Sequence, residues 1–249
     1  MKILICLSNV PDTTTKIRLT PDAKGVDMSG VQWIINPWDE LALSRAIDLK
    51  EKNPSIIEKI SVMTVGGIAA DPTIRKAFAM GADDGFRINT EPLDAYFVAA
   101  QLAEAIKSRP YDIILCGIES SDTNGCTVGA MLAEFLDVPS VSSVSFLDVE
   151  GGKVGIKREV DGGYQNVNTT LPFVAVVQKG IAIEPKIATM RGIMAARTKP
   201  LQVIEPAAIE PLTEVVNYEL PQAKTACKMV DAANIEQLVD MLHNEARVI

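Results

Sequence analysis

Histidine is almost absent from this 249-residue sequence, His243 being the single one. No Ser-His-Asp or Cys-His unit can be built without it, so catalysis by side chains alone is not expected. The four cysteines, Cys6, Cys116, Cys126 and Cys227, show no Cys-x-x-Cys spacing, which leaves a metal site only scattered ligands. Cys6 and Cys126 read as small buried fillers, because no base lies near either in sequence. Positive charge is also scarce: 24 Lys and Arg face 32 Asp and Glu, a net charge of −8. That balance argues against a nucleic-acid binder and against a polybasic membrane anchor. No apolar run reaches the roughly eighteen residues of a membrane span. Residues 1–7 are too short an apolar run before Asn9-Val10-Pro11-Asp12 for a secretory leader. The expectation is a cytoplasmic protein with no membrane insertion.

Hydrophobic residues make up 47% of the chain and charged ones 22%, ordinary values for a globular fold. Residues 2–7, 60–65, 112–116 and 173–177 are short and continuously apolar, as strands buried on both faces are. Between them lie helical periods: residues 39–50 behind Asn36-Pro37, 71–80 stopped by Gly81, one after Pro92 and one after Gly129. Strand alternating with helix predicts an α/β fold, a doubly wound and mostly parallel sheet in three α/β/α layers. Residues 140–146, 153–160 and 164–171 are strand-like and separated by Gly151-Gly152 and Gly162-Gly163, which predicts an antiparallel addition over about 140–172. The main domain is expected to span 1–199. From residue 200, Pro206, Pro211 and Pro221 punctuate a stretch with few periods until an amphipathic helix at about 234–245; 200–249 is read as a C-terminal arm.

Ligands of open α/β sheets bind beyond the carboxyl ends of the strands, at loops leading into helix N-termini. Three loops qualify: the one after Cys6, Val65-Gly66-Gly67, and the run Ser120-Ser121-Asp122-Thr123-Asn124-Gly125-Cys126-Thr127-Val128-Gly129. The last is rich in small and hydroxylic residues that allow close backbone approach to a phosphate. Ser, Thr, Asn and Gly equally make ordinary caps and turns. Asn36-Pro37-Trp38-Asp39 reads first as a helix start, and Ile187, Met190, Ile193 and Met194 fall at the spacing of a core helix face as well as of an interface.

Taken together, Ile-Asn-Pro-Trp-Asp-Glu (residues 35–40), Ala-Met-Gly-Ala-Asp (79–83), the loop 122–129 and Lys-Arg-Glu-Val-Asp-Gly-Gly (157–163) make the whole chain resemble the β-subunits of electron transfer flavoproteins. The resemblance implies a redox subunit without catalytic residues of its own. It implies pairing with an α-subunit that carries FAD, and traffic of electrons between flavin-dependent dehydrogenases, acyl-CoA-type or other, and downstream acceptors. A nucleotide, AMP or a second FAD, would then meet Cys6, Asn36, Pro37, Trp38, Asp39, Val65, Gly66 and the Asp122, Thr123, Asn124, Gly125, Cys126, Thr127, Val128, Gly129 loop. Residues 184–197 resemble the family's recognition loop, with Met190 as the apolar anchor and Arg191, Ile193, Met194 and Arg197 beside it. Thr13 and Arg158 would face the partner's flavin by register. Ser8-Asn9 stands where relatives commonly have a basic residue, and Asn124 replaces a second acid of the electron-bifurcating group, whereas Val10-Pro11-Asp12-Thr13 looks like that group; AMP and FAD both stay open. An adenine-nucleotide-binding enzyme, or a module binding a small anion on the same fold, is the competing reading.

Overall fold

The computed structural model describes residues 1–224 and 226–249. In chain order it contains β1 (Lys2–Cys6), β2 (Asn9–Pro11), β3 (Trp33–Ile35), α1 (Pro37–Lys52), β4 (Lys59–Val65), α2 (Asp71–Met80), β5 (Asp84–Ile88), α3 (Ala95–Lys107) and β6 (Ile113–Gly117). There follow α4 (Val128–Leu136), β7 (Ser140–Glu150), β8 (Lys153–Val160), β9 (Gly163–Val167), β10 (Phe173–Val177), α5 (Met190–Ala196), β11 (Leu201–Ile204) and α6 (Ile235–Asp240). Nine strands form one sheet in the order β11-β5-β4-β1-β6-β10-β7-β8-β9, and β2 and β3 make a separate antiparallel ribbon. The sheet is parallel from β11 through β7, and only β8 and β9 run antiparallel to their neighbours. The three-layer α/β/α reading is therefore the observed architecture.

Alternation along β1 shows why its sequence is continuously apolar. Ile3 and Ile5 pack with Leu43 and Ile47 of α1 and Phe78 of α2 on one face. Leu4 and Cys6 pack with Phe97 and Leu102 of α3 and Leu132 of α4 on the other. With helices on both faces, Ile3, Leu4, Ile5 and Cys6 are all buried.

The structure differs from the sequence expectations in several places. α3 begins at Ala95 because the Asp94 carboxylate caps it, accepting from the Phe97 N–H at 2.7 Å. β7 runs on to Glu150 and joins β10 in parallel, and β9 ends at Val167. β5 and β11 had no sequence expectation. Asp84, Gly85 and Arg87 interrupt the apolar run of β5, yet Asp84 accepts from the Ser61 hydroxyl at 2.6 Å and pairs with Lys59, and Arg87 pairs with Asp71. Cys126 is exposed rather than buried, because it lies in the loop before α4, where its thiol donates to the Asn124 carbonyl at 3.3 Å instead of packing on the sheet.

The chain divides into two compact units, one of Met1–Arg18 with Asp27–Val216 and one of Leu19–Val26 with Asn217–Ile249. Within the first, Leu201–Ile204 pairs in parallel with Asp84–Ile88, and residues 205–213 are pinned to α3: Gln101 exchanges two hydrogen bonds with the Ala207 backbone, and Asp94 accepts from the Leu212 and Thr213 N–H groups. Within the second, Leu19 bridges Val26, and Tyr218 N–H donates to the Ala23 carbonyl at 2.9 Å. The terminal helix expected as one piece is α6 followed by a π-helical turn, Met241–Ala246. Among the described residues no helix is long and apolar enough to cross a membrane.

Leu43 and Leu132 are fully buried on opposite faces of the sheet. Leu43→Ala and Leu132→Ala are each expected to lower the free energy of unfolding by about 2–5 kcal/mol. Urea titration should show this as a lower midpoint at unchanged slope.

Candidate functional site

The loops after β4, β1 and β6 are neighbours at the carboxyl edge of the sheet, because those strands are adjacent and parallel. The first turn of α1 ties two of them together. Pro37 opens this helix with its ring at a position whose N–H would be unpaired in any case. Two residues on, the buried Asp39 carboxylate reaches back to the sheet. It accepts from the Ser8 N–H at 2.8 Å, in the loop after β1, and from the Gly117 N–H at 2.9 Å, at the end of β6. Asn36, also buried, donates from Nδ2 to the Glu119 carbonyl at 2.9 Å and accepts at Oδ1 from the Ser121 N–H at 3.2 Å. The Trp38 indole N–H reaches the Glu119 carboxylate at 3.2 Å. Gly117 is obligatory here, since a Cβ would lie 2.5 Å from Asp39 Oδ1 and 2.7 Å from Trp38 Cβ.

Residues 120–127 close on themselves before α4 begins. Ser120 N–H donates to the Gly125 carbonyl at 3.1 Å and Asn124 N–H to the Ser120 carbonyl at 2.7 Å, with Asn124 in the left-handed region at φ 54°. Asp122 accepts from the Ser120 hydroxyl and from the Thr123 N–H. Among the described residues no side chain caps α4, so the N–H groups of its first turn are free to face an anion. The Ser121 hydroxyl oxygen is sealed from solvent without a hydrogen-bond partner among the described residues. A buried hydroxyl costs free energy until it is paired, and this one sits in the same loop as the free helix terminus. Gly129 lets that terminus approach the sheet, where a Cβ would lie 2.6 Å from Val176 Cγ2.

Val65 ends β4 and is buried. The Gly66 that follows has its N–H on the Ile88 carbonyl at 3.0 Å and its own carbonyl on Arg87 Nη1 at 3.1 Å. Arg87, itself buried, also donates to Asn89 at 2.7 Å and pairs through Nε with Asp71 at 2.6 Å. Its signal in the sequence is a cation inside a strand. Cys6 lies beneath this edge next to Cys116: the Cys116 thiol, then burial, then the Asp39 charge push its thiol well up, so it is held neutral. Burial pushes the Asp39 carboxyl up to about 7 against the backbone N–H groups of Ser8 and Gly117, which pull it down.

The recognition-loop residues lie elsewhere. α5 packs along α2, with Arg75 bonded to the Ala196 carbonyl and Gly192 against the Ala79 carbonyl, whereas Val65 and Gly66 stand at the end of β4. Met190 is 76% exposed and Met194 71%, and Arg191, Ile193 and Arg197 are exposed beside them. The helical spacing of this set serves a displayed face, not a core.

The sequence is similar to one family of known proteins along its length. Residues 24–209 match the electron transfer flavoprotein domain family. The electron transfer flavoprotein subunit beta of Syntrophomonas wolfei is 37% identical over 253 residues, covering 100% of this chain and 98% of its own. Those of Bacillus subtilis and Homo sapiens are each 34% identical, covering 100% of this chain and 100% and 99% of their own.

Asp39 has a folded-state pKa of about 7 against an ordinary 3.8. The native state thus holds a proton that the unfolded chain has released, and stability falls as pH rises from about 4 through about 7. Denaturant titrations across that interval should show this fall in the wild type and a shallower one in Asp39→Asn, which has no carboxyl to titrate.

Proposed function

The chain belongs to the electron transfer flavoprotein β-subunit family, and from that premise we propose that it pairs with a flavin-bearing α-subunit in the cytoplasm. Together the two carry electrons between flavin-dependent dehydrogenases and downstream acceptors. The carboxyl-edge loops hold an adenine nucleotide, AMP or FAD, whose phosphates meet residues 122–129 and the adjoining Ser121. The observation that supports the nucleotide site is the sealed Ser121 hydroxyl in a loop that ends on an uncapped helix. Both features are donors without acceptors, and a phosphate is an acceptor with charge to match.

In this reading Asn36 and Asp39 act indirectly, because their polar atoms are already taken by the loops they join. Gly66 and the 122–129 loop present backbone, and Cys6 and Val65 supply apolar floor. A bound FAD would add a redox centre, whereas AMP would be structural. Neither Lys nor His occurs in residues 120–129, so the loop lacks the cation expected of an enzyme that cleaves phosphate bonds. The second compact unit, with Ile235, Leu238, Val239 and Met229 exposed, serves as the arm that grips the α-subunit.

Copurifying the chain with its native neighbours and counting the nucleotides released on denaturation tests the assignment. One FAD with one AMP per complex is expected of a conventional carrier, and two FADs of a bifurcating one. A complex with no nucleotide beyond the α-subunit's flavin would overturn the site. Ser121→Ala should weaken nucleotide retention by about fivefold, the equivalent of one ordinary hydrogen bond, as read by equilibrium dialysis. A chain ended after Val216 is expected to keep the nucleotide and lose the α-subunit on size-exclusion chromatography.

A further inference from the structure

Helix α5 should not be stable on its own terms. It has seven residues, of which Ala196 alone is buried, and a helix that short is marginal without tertiary support. Its apolar support is thin, because a groove of about 590 Å³ lined by Pro72, Arg75, Ala79, Ala188 and Ile193 lies between it and α2. One close contact joins the two helices at Gly192, where a Cβ would come within 2.2 Å of the Ala79 carbonyl oxygen. The remaining fastening is by charged donors on backbone carbonyls and is reciprocal. From α2, Arg75 Nη1 donates to the Ala196 carbonyl at 2.8 Å and the Lys199 carbonyl at 2.7 Å, capping the end of α5. From beyond α5, Lys199 Nζ donates to the Phe78 carbonyl at 2.9 Å and the Ala82 carbonyl at 2.6 Å, capping the end of α2. The last carbonyl of α5 is thus satisfied by a cation of α2, and one carbonyl in the last turn of α2 by a cation three residues beyond α5.

We propose that Arg75 and Lys199 are positioning residues that hold α5 in one orientation, and thereby present Met190 and Met194 to the electron-transfer partner. The assignment rests on the reading of α5 as the surface that meets a flavin dehydrogenase. Neither residue touches that partner or the nucleotide. The clamp acts by removing the ordering cost that a frayed α5 would add to each encounter. Because Arg75 uses a single nitrogen for both bonds, an ammonium at this position can substitute for it.

The test uses the intact complex with its α-subunit and the flavin dehydrogenase that reduces the wild type. Four variants are compared: Arg75→Ala, Lys199→Met, Arg75→Lys and Met190→Ala. Amide hydrogen exchange over residues 190–197 and the kinetics of electron delivery are measured on each. In Arg75→Ala and Lys199→Met, exchange is expected to speed up by at least about tenfold. In the same two variants KM for the dehydrogenase should rise about tenfold while kcat changes less than about twofold. Arg75→Lys should recover most of both effects. Unchanged exchange in Arg75→Ala and Lys199→Met would overturn the clamp whatever the partner. Faster exchange with unchanged KM, when Met190→Ala does raise KM, would overturn the positioning role and leave the docking surface standing. If Met190→Ala also leaves KM unchanged, the docking surface itself fails, and the positioning role with it.

Discussion

Everything at the carboxyl edge of this sheet depends on a carboxylate taken out of water. Asp39 is 3% exposed and has no cation beside it, so its charge is balanced by two backbone N–H groups, one from the loop after β1 and one from the end of β6. Such donors partly offset desolvation but do not cancel it, which is why the carboxyl is pushed up to about 7. The strain is useful because it is shared. Two segments that would otherwise leave orphan N–H groups at the ends of parallel strands are drawn onto one acceptor, and Asn36 ties down the loop after β6 by donating to the Glu119 carbonyl and accepting from the Ser121 N–H. The result is a stitched platform from which the 120–129 loop rises.

That platform and the recognition helix are built by different means. The platform stands on strands buried on both faces, where packing leaves little freedom. Helix α5 stands on the surface, and its order comes from cations capping carbonyls across an incompletely filled groove. The segment leading to it is fastened in the same way, with Lys186 paired to Asp48 and Glu51 of α1. Apolar packing gives the sheet edge a fixed geometry. A polar clamp suits a surface helix that displays methionines to water.

Several elements were legible before the structure. β1, β4, β6 and β10 announce themselves as continuous apolar runs, and Pro37, Gly81 and the Gly-Gly pairs mark boundaries without reference to distant residues. β5 was not legible, because Asp84 and Arg87 read as surface residues until Lys59, Ser61 and Asp71 are brought alongside. The exposure of Cys126 followed from a loop that turns on Asn124, which composition does not reveal.

The motif around Asn36 and Asp39 shows where sequence stops. By itself the sequence determined the alternation of strand and helix, the doubly wound sheet and the family, since each rests on local periodicity or on short motifs. The tertiary structure alone decided that Asn36 and Asp39 turn inward to join loops, that the Ser121 hydroxyl has no partner among the described residues, and that Arg75 and Lys199 bond carbonyls at the ends of α5 and α2. Those contacts join residues dozens to more than a hundred positions apart. A polar side chain carries no mark in the sequence of which distant carbonyl or N–H will be presented to it once the sheet has closed.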